Sequence, residues 1–166
     1  MNTAITNSSP FIALSMVGQL DLLFEIFHKV YIPEAVYHEV ASSESRSQHG
    51  RNECIQAVQQ NKLSIYQVKN QMLVDQLYGK MHKGELEVII AARELSVEFV
   101  LIDEKTARQF AEMNLLTPIG TIGILVVAKQ RKIINQVKEH LDDLVSKGFR
   151  MKKEMYLDIL RELDEI

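Results

Sequence analysis

Several common kinds of functional site are missing from this sequence of 166 residues. Its one cysteine, Cys54, excludes an internal disulfide, and apolar neighbours predict a small core or interface residue. The five histidines lack metal-ligand spacing, so a structural zinc is not expected. A nucleophile elbow, a dinucleotide fingerprint and a Walker loop are also absent, which leaves hydrolase triads and nucleotide cofactors without support.

Neither an excess of one charge nor a long apolar run dominates the chain. A net charge of −3 gives no overall attraction for nucleic acid, so a bound polyanion would need a local basic patch or metal ions. No apolar stretch approaches the ~20 residues of a membrane span, and the first residues do not have the pattern of a signal peptide. We therefore expect a soluble, cytoplasmic protein with no membrane partner.

The overall composition is typical of a globular domain, with 46% apolar and 25% charged residues. Strand and helix patterns alternate along the chain, without an internal repeat or a long linker. This alternation predicts a single domain over residues 1–166, of the α/β class, folded as a three-layer α/β/α sandwich with a mostly parallel sheet.

The predicted strands are short and apolar, and the later helices are amphipathic. A polar, serine-rich stretch at 41–52 predicts a mobile surface loop. Helices are expected at 70–81 and, within the C-terminal stretch 135–163, at 135–145 and 152–163. The helices at 70–81 and 152–163 are expected to pack on the core or to form a dimer interface. Strands are predicted at 3–7, 30–32, 63–68, 98–103 and 115–119.

Two of the predicted strands end on an oxygen-bearing side chain and lead directly into a helix. These side chains are Asn7 and Asp103. In an open parallel sheet, ligands bind beyond the carboxyl ends of the strands. The segment Gly84-Glu85-Leu86-Glu87 adds two carboxylates at the start of an apolar helix. Such a set of oxygen ligands suits Mg²⁺ or Mn²⁺.

Each of these side chains also has a structural explanation. Asp103 is placed to cap the helix that follows it, and Glu85 to interact favourably with a helix N-terminus. Asn7 is placed to order its loop through an Asx turn, because Ser9 is the better cap for the first helix. Glu87 lies in an apolar stretch, where a carboxylate costs several kcal/mol unless a metal, a cation or hydrogen bonds compensate it.

Five segments, in the same order and at the expected spacing, resemble PIN-domain proteins. The closest resemblance is to an uncharacterised prokaryotic branch described as PIN-like or VapC-like. It extends to Gly148-Phe149-Arg150 and so covers nearly the whole chain. The five segments are Ile5–Leu14, Tyr31–Val40, Gly84–Glu87, Leu101–Glu104 with Ala107-Arg108, and Gly120–Gly123.

The resemblance implies a metal-dependent ribonuclease, a hydrolase that uses Mg²⁺ or Mn²⁺ to cleave RNA phosphodiester bonds. It assigns the catalytic and metal-binding positions to Asn7, Glu39, Glu87 and Asp103, with Glu104 as a supplementary ligand. Glu39 alone would be interpreted as a solvated surface acid. Many PIN domains are toxins of toxin–antitoxin pairs, so the implied partners are RNA, an antitoxin protein and a second copy in a homodimer.

Asn7 departs from the family pattern, because most PIN nucleases have Asp at this position. Its amide oxygen carries no charge and is a poorer ligand for a hard cation than a carboxylate. Two interpretations therefore stay open. The chain is either an active ribonuclease or a catalytically weak or inactive PIN-like module that binds RNA or a protein partner.

Weaker candidates for RNA contact flank these motifs. Thr121, at a predicted helix start, is placed to bond a phosphate or a metal-bound water, or only to cap the helix. Lys83, Lys105 and Arg108 are placed to follow an RNA backbone. Arg108 also lies four residues after Glu104, where the two side chains would form a helical ion pair.

Overall fold

The structure is a computed structural model that describes residues 3–42 and 48–166. Its five strands form one sheet in the order β3-β2-β1-β4-β5, and every pairing in it is parallel. The predicted α/β class and parallel sheet are therefore confirmed. The strands are β1 (Thr3–Thr6), β2 (Lys29–Pro33), β3 (Leu63–Tyr66), β4 (Phe99–Leu101) and β5 (Thr117–Ile119).

Helices join the strands and flank the sheet, which gives the expected three-layer α/β/α sandwich. Parallel strands require such crossover connections, and helices are the usual form. In the described ranges the helices are α1 (Ser8–Met16), α2 (Asp21–Ile26), α3 (Glu34–Ala41), α4 (Arg51–Gln59), α5 (Gln71–Leu77), α6 (Lys83–Leu95), α7 (Lys105–Met113), α8 (Thr121–Gln130), α9 (Lys138–Ser146) and α10 (Lys153–Glu162).

The helix expected at 70–81 is shorter than predicted. It is α5, which ends at Leu77, and Tyr78 already has extended backbone angles. Gly79 follows with a φ of 104°, which glycine adopts at little cost and which no α-helix contains. The sequence pattern continued past this glycine because Tyr78 and Met81 are apolar, although they form only an isolated bridge.

The first helix begins earlier than predicted. Asn7, rather than Ser9, occupies the N-cap position, and α1 begins at Ser8. The prediction of Ser9 as the cap is therefore wrong. The Asn7 side chain makes no capping hydrogen bond although it is only 5% exposed. Its amide is consequently not used by the helix that it precedes.

The apolar core extends through the domain, from Ala4 in β1 to Leu160 in α10. Cys54 is part of this core and is fully buried. Burial raises the pKa of its thiol to about 12, so the thiol stays protonated and unreactive. The interpretation of Cys54 as a small core residue is confirmed.

One carboxylate ties the C-terminal segment to two helices. Glu165 accepts hydrogen bonds from the backbone N–H groups of Val137 and Lys138, at the start of α9. It also accepts from Lys129 Nζ, on α8, at 2.7 Å. Burial by itself would raise the pKa of Glu165, but these donors outweigh it and lower the pKa.

Two further predictions concern the loop and the membrane. Residues 43–47, which belong to the predicted loop at 41–52, lie outside the described residues, so this loop remains a prediction. Within the described ranges, none of the helices has the length and apolar character needed to cross a lipid bilayer.

The strand order determines where a ligand would bind. From β1 the sheet continues to β2 and β3 on one side and to β4 and β5 on the other. The order therefore reverses between β1 and β4, and such a reversal opens a crevice beyond the carboxyl ends of the strands. Asn7 follows β1 directly and Asp103 lies two residues after β4, so both residues lie at this crevice.

Candidate active site

The backbone of Asn7 closes the pairing between β1 and β4. Its N–H donates to the carbonyl oxygen of Leu101 at 3.0 Å, so the parallel ladder continues to the last residue before α1. This bond fixes the position of Asn7 relative to the end of β4. The buried Asn7 side chain is thus held beside the segment that carries Asp103.

The side-chain oxygens of Asn7 and Glu39 converge at Gly84. A Cβ atom placed on Gly84 would lie 3.4 Å from Glu39 Oε2 and 3.5 Å from Asn7 Oδ1. Glu39 is also oriented by Ser8, whose hydroxyl donates to Glu39 Oε1 at 3.1 Å. Val36 Cγ2 would lie closer still, at 3.2 Å from the same Cβ position, so a side chain at residue 84 would have to displace a neighbour. We call the surroundings of Gly84 that include Asn7 Oδ1 and Glu39 Oε2 the Gly84 cradle.

Glu85 lies next to the Gly84 cradle and is buried. Its Oε2 accepts a hydrogen bond from the backbone N–H of His82 at 3.1 Å. Glu85 therefore interacts with the N-terminus of α6, which is the structural explanation given for it from the sequence. Burial raises the pKa of Glu85, the His82 contacts lower it, and the negative charges of Glu104 and Glu39 raise it again. The raised pKa therefore comes mainly from burial, and the two neighbouring carboxylates make the smaller contribution.

Asp103 does not cap the helix that follows it, contrary to one of the two sequence interpretations. It binds the start of α8 instead. Thr121 donates its backbone N–H to Asp103 Oδ1 and its hydroxyl to Asp103 Oδ2, each at 2.7 Å. Burial raises the pKa of Asp103, although the Thr121 bonds and the nearby Arg108 charge oppose the shift.

Glu104 takes the capping role that was expected of Asp103. Its Oε2 accepts from the N–H of Ala107 at 2.8 Å, and this bond is the main reason that the pKa of Glu104 is lowered. One of its oxygens is therefore committed to α7. The expected function of Glu104 as a supplementary metal ligand remains a prediction.

Arg108 approaches Asp103 at Gly120, although the two side chains form no salt bridge within the described residues. A Cβ atom on Gly120 would lie 2.9 Å from Asp103 Oδ1 and 3.1 Å from Arg108 Nη1, so both groups crowd around this glycine. Nη1 also donates to the carbonyl oxygen of Ile102 at 3.0 Å. The Glu104–Arg108 ion pair considered from the sequence is not among the salt bridges formed within residues 3–42 and 48–166.

The remaining candidates for RNA contact differ in exposure. Thr121 is fully buried and its hydroxyl is bonded to Asp103, so it orients that carboxylate. Lys83 and Lys105 are exposed at the first positions of α6 and α7. They are therefore accessible to a ligand at the crevice, and their contact with RNA remains a prediction.

Glu87 is buried, as the apolar stretch around it predicts, and both of its carboxylate oxygens accept hydrogen bonds. Its Oε2 accepts from the N–H of Ala35 at 3.1 Å, and its Oε1 accepts from Gln71 Nε2, also at 3.1 Å. Ala35 lies in the first turn of α3, one turn before Glu39. Glu87 thus fixes the helix that carries Glu39.

The structure therefore forms two groups at one crevice. Asn7 and Glu39 approach Gly84, with the buried Glu85 next to it in sequence, while Asp103 and Arg108 both approach Gly120. Within the described ranges, no three His, Cys, Asp or Glu side chains are close enough together to hold a metal ion unaided. The donors are nonetheless all oxygen atoms, which fits Mg²⁺ or Mn²⁺.

Sequence reasoning missed three residues of this arrangement. Ser8 is an ordinary helix residue by pattern, and nothing in one sequence indicates its bond to Glu39. Gly84 and Gly120 gave a weak signal, because a glycine beside an apolar helix often marks a close approach of other groups. Only the folded chain identifies which oxygen atoms approach each glycine.

Comparison with known proteins adds one finding. A family model described as a PIN domain matches residues 3–165. The matched range contains all five strands and both groups of site residues. A search of curated proteins gives no match to the chain.

Proposed function

Because the chain belongs to the PIN-domain family, we propose that it is a metal-dependent ribonuclease that hydrolyses phosphodiester bonds of RNA. The family has a nuclease-type fold and generally depends on divalent metal ions. The observation that carries the proposal is the convergence of Asn7 Oδ1 and Glu39 Oε2 at the Gly84 cradle. Asp103 lies at the same crevice, at the end of the neighbouring strand.

We assign the metal ligands to Asn7, Glu39 and Asp103. Glu85 and Glu104 add negative charge to the same side of the molecule. This charge favours the binding of a cation at the site. The two hydrogen bonds of Glu87 support a positioning role, so we place it outside the ligand set. Its carboxylate would act through Glu39, by holding the start of α3.

When bound, a divalent ion held by Asn7, Glu39 and Asp103 would supply Lewis-acid activation of water and would neutralise charge on the phosphodiester. The protein's residues perform the remaining tasks. Thr121 holds the Asp103 carboxylate in one orientation, so its unused lone pairs keep a fixed direction. Arg108, beside Asp103, is placed to bind a phosphate oxygen. No covalent intermediate is required.

Asn7 favours a second candidate function. With an amide at this position, the site has one negative charge fewer than the usual family site. Metal affinity decreases as the total negative charge of the ligands decreases. The second candidate is a PIN-like module that binds RNA or a protein partner without cleaving RNA. An Asn7→Asp variant distinguishes the two, because a disabled site would gain activity and an active site would already have it.

We further propose that the ribonuclease is cytoplasmic and is the toxin of a toxin–antitoxin pair, by analogy with many PIN domains. Expression of the chain alone would then arrest cell growth, and the Asp103→Asn variant would not. An antitoxin that covers the crevice would restore growth when produced together with the toxin. Normal growth with abundant, folded and RNA-cleaving protein would contradict the toxin proposal and leave the ribonuclease proposal intact.

The deciding experiment is cleavage of a mixed pool of structured and single-stranded RNA by purified protein. Reactions contain Mg²⁺, Mn²⁺ or EDTA, and Asp103→Asn is compared with Asp158→Asn. Asp158 is a matched control because its carboxylate bonds Arg161 on the exposed surface of α10. We expect cleavage only with metal, retained by the Asp158 variant and lost by the Asp103 variant.

Each of two outcomes would overturn the ribonuclease proposal. Cleavage that persists in EDTA would indicate a contaminating or metal-independent activity. Equal cleavage by both variants would place the reaction elsewhere. Thermal unfolding of each variant shows whether loss of the Thr121 bonds, rather than loss of the charge, explains an inactive Asp103→Asn protein.

A further inference from the structure

Arg108 is a half-buried cation without a carboxylate partner of its own. It forms no salt bridge within residues 3–42 and 48–166. Its Nη1 donates to the carbonyl oxygen of Ile102, directly after β4, at 3.0 Å, and its other N–H groups donate to none of the described residues. The Ile102 bond therefore holds the charge at the crevice while most of the guanidinium donors stay free.

The position of this charge opposes the binding of a divalent cation. Asp103 Oδ1 and Arg108 Nη1 both lie within 3.1 Å of one point, the position that a Cβ atom on Gly120 would take. A cation bound by Asp103 would therefore lie near a positive charge that the Ile102 bond keeps in place. Two positive charges at short range repel each other, and water screens this repulsion only in part where the groups are half-buried.

The assigned metal ligands have little charge with which to offset this repulsion. Asn7 is neutral, so Asn7, Glu39 and Asp103 carry two negative charges between them. Glu85 and Glu104 add charge, but each already accepts a hydrogen bond from a helix N-terminus. Mg²⁺ is usually bound by one or two carboxylates together with substrate phosphates, rather than by protein ligands alone. A site of this composition therefore suits an ion that binds together with a phosphate group.

We propose that Arg108 makes metal binding at this site depend on a bound phosphodiester. In the free protein its charge opposes a divalent cation at Asp103, and a phosphate bound by its free N–H groups neutralises that charge. Because such coupling is reciprocal, a bound metal ion raises the affinity for the phosphodiester by the same factor. This inference rests on the proposed function, since it describes how the same site acquires its metal and its substrate.

Titrations of the protein with Mn²⁺ in the absence of nucleic acid, followed by calorimetry, test the repulsion. Arg108→Gln removes the charge and Arg108→Lys keeps it. Arg131→Gln is the matched control, because Arg131 Nη1 also donates to a backbone carbonyl oxygen, that of Ile26 at 2.8 Å, but at the C-terminal end of α8. We expect Arg108→Gln to bind Mn²⁺ about fivefold or more tightly than wild type, and the other two variants to remain within about twofold of wild type.

A second measurement tests the coupling from the side of the phosphodiester. The probe is a fluorescently labelled oligothymidine of about 12 nucleotides with phosphorothioate linkages, which resist hydrolysis. Its affinity is measured by fluorescence anisotropy in Mn²⁺ and in EDTA. We expect Mn²⁺ to raise the affinity of wild type and of Arg131→Gln by about fivefold or more, and that of Arg108→Gln by less than about twofold. Arg108→Lys should retain most of the increase.

Three results would overturn the inference. If Arg108→Gln bound Mn²⁺ no more tightly than wild type, the Arg108 charge would not oppose the ion. If it bound Mn²⁺ more weakly, Arg108 would support Asp103 as a ligand instead. If Mn²⁺ changed the oligonucleotide affinity of wild type and Arg108→Gln equally, the two ligands would not be coupled through Arg108. Thermal unfolding without metal shows that each variant is folded, and Arg108→Lys separates the charge from the packing of the side chain.

Cleavage of RNA is assayed separately, with Mg²⁺ or Mn²⁺. A protein that shows both effects of Arg108→Gln but cleaves no RNA would contradict the ribonuclease proposal and leave this inference intact. A protein that cleaves RNA with metal, but whose Mn²⁺ affinity is the same in wild type and Arg108→Gln, would do the reverse.

Discussion

Thr121 donates both of its hydrogen bonds to Asp103, from the backbone N–H to Oδ1 and from the hydroxyl to Oδ2, each at 2.7 Å. The pair joins the end of β4 to the start of α8. Each carboxylate oxygen accepts one bond and keeps a further lone pair. Asp103 is therefore held in one orientation without losing the capacity to bind a cation.

The first prediction concerns this pair. Thr121→Val removes the hydroxyl and keeps the backbone N–H, so the half-buried Asp103 carboxylate loses one of its two bonds from Thr121. We expect the free energy of unfolding to fall by about 1–3 kcal/mol in urea titrations without metal. Thr117→Val is the control, because Thr117 also donates its hydroxyl to a carboxylate, that of Glu98, but on the exposed surface.

The control should change the free energy of unfolding by no more than about 0.5 kcal/mol. If the two variants lost the same stability, the Thr121 hydroxyl would contribute no more than a surface bond. The orientation of Asp103 would then need another explanation.

The second prediction separates a positioning role of Glu87 from a ligand role. Glu87→Gln keeps an oxygen that accepts from Ala35, whereas Glu87→Ala leaves that N–H without its partner. We expect Glu87→Ala to lose about 2 kcal/mol or more of stability and Glu87→Gln to lose less. Glu25→Ala, at an exposed site on α2, is the control for the helix change.

Metal affinity then decides between the roles. If Glu87 positions α3, the Mn²⁺ affinity of Glu87→Gln, measured by calorimetry, remains well above that of Glu39→Gln. If Glu87 is a ligand, the two glutamine variants lose affinity to the same extent. The second result would restore Glu87 to the ligand set that the family resemblance implies.

The third prediction concerns Asn7. Asn7→Asp adds a charge at a side chain that is only 5% exposed and lies beside Glu39 at the Gly84 cradle. In EDTA we expect a loss of about 1–3 kcal/mol of stability, because a buried charge is added among like charges. Mn²⁺ should reverse this loss and bind more tightly than to the wild-type protein.

Asn52→Asp is the control for this change, since Asn52 is exposed on α4. It should alter neither the stability in EDTA nor the response to Mn²⁺. A variant at Asn7 that is equally stable with and without Mn²⁺ would argue against a cation between Asn7 and Glu39.

The fourth prediction is a pH dependence of stability. The folded protein lowers the pKa of Glu165 below its ordinary value of 4.5, so its carboxylate stabilises the fold above that value. The contribution disappears as the pH falls through the lower pKa of the folded state. At pH 7, Glu165→Gln should therefore cost about 2 kcal/mol or more, and the difference should shrink below about pH 4.5.

Glu162→Gln, on the exposed side of α10, should show no such pH dependence. Chemical denaturation of both variants from pH 3 to pH 7 provides the measurement. A constant difference between wild type and Glu165→Gln over this range would mean that the protonation of Glu165 is not linked to folding.

The order of the elements could be predicted because each one is encoded locally. Short apolar runs alternate with amphipathic stretches, and parallel strands follow from that alternation. The position of Asp103 and Asn7 at the crevice follows from the same rule, because both come after strands that end at one side of the sheet. Boundaries were less accurate where apolar residues continue past a glycine, as at Gly79.

The partners of the site residues could not be predicted in this way. Locally, Asp103 is a better cap for α7 than Glu104, and only the approach of Thr121, 18 residues later, assigns Asp103 elsewhere. The local sequence alone shows that the charge of Glu87 must be compensated, because its neighbours are apolar. The donor that provides it, Ala35, is 52 residues distant in sequence, and a metal ion would satisfy the same local pattern.

The parallel pairing of β1 with β4 also governs when the site forms. Ala4 is aligned with Phe99, so the neighbouring strands at the crevice are separated by most of the domain along the chain. Contacts of such high sequence separation form slowly, after local structure has appeared. The proposed ribonuclease site is therefore incomplete during synthesis, since the part of it that follows β4 leaves the ribosome long after Asn7.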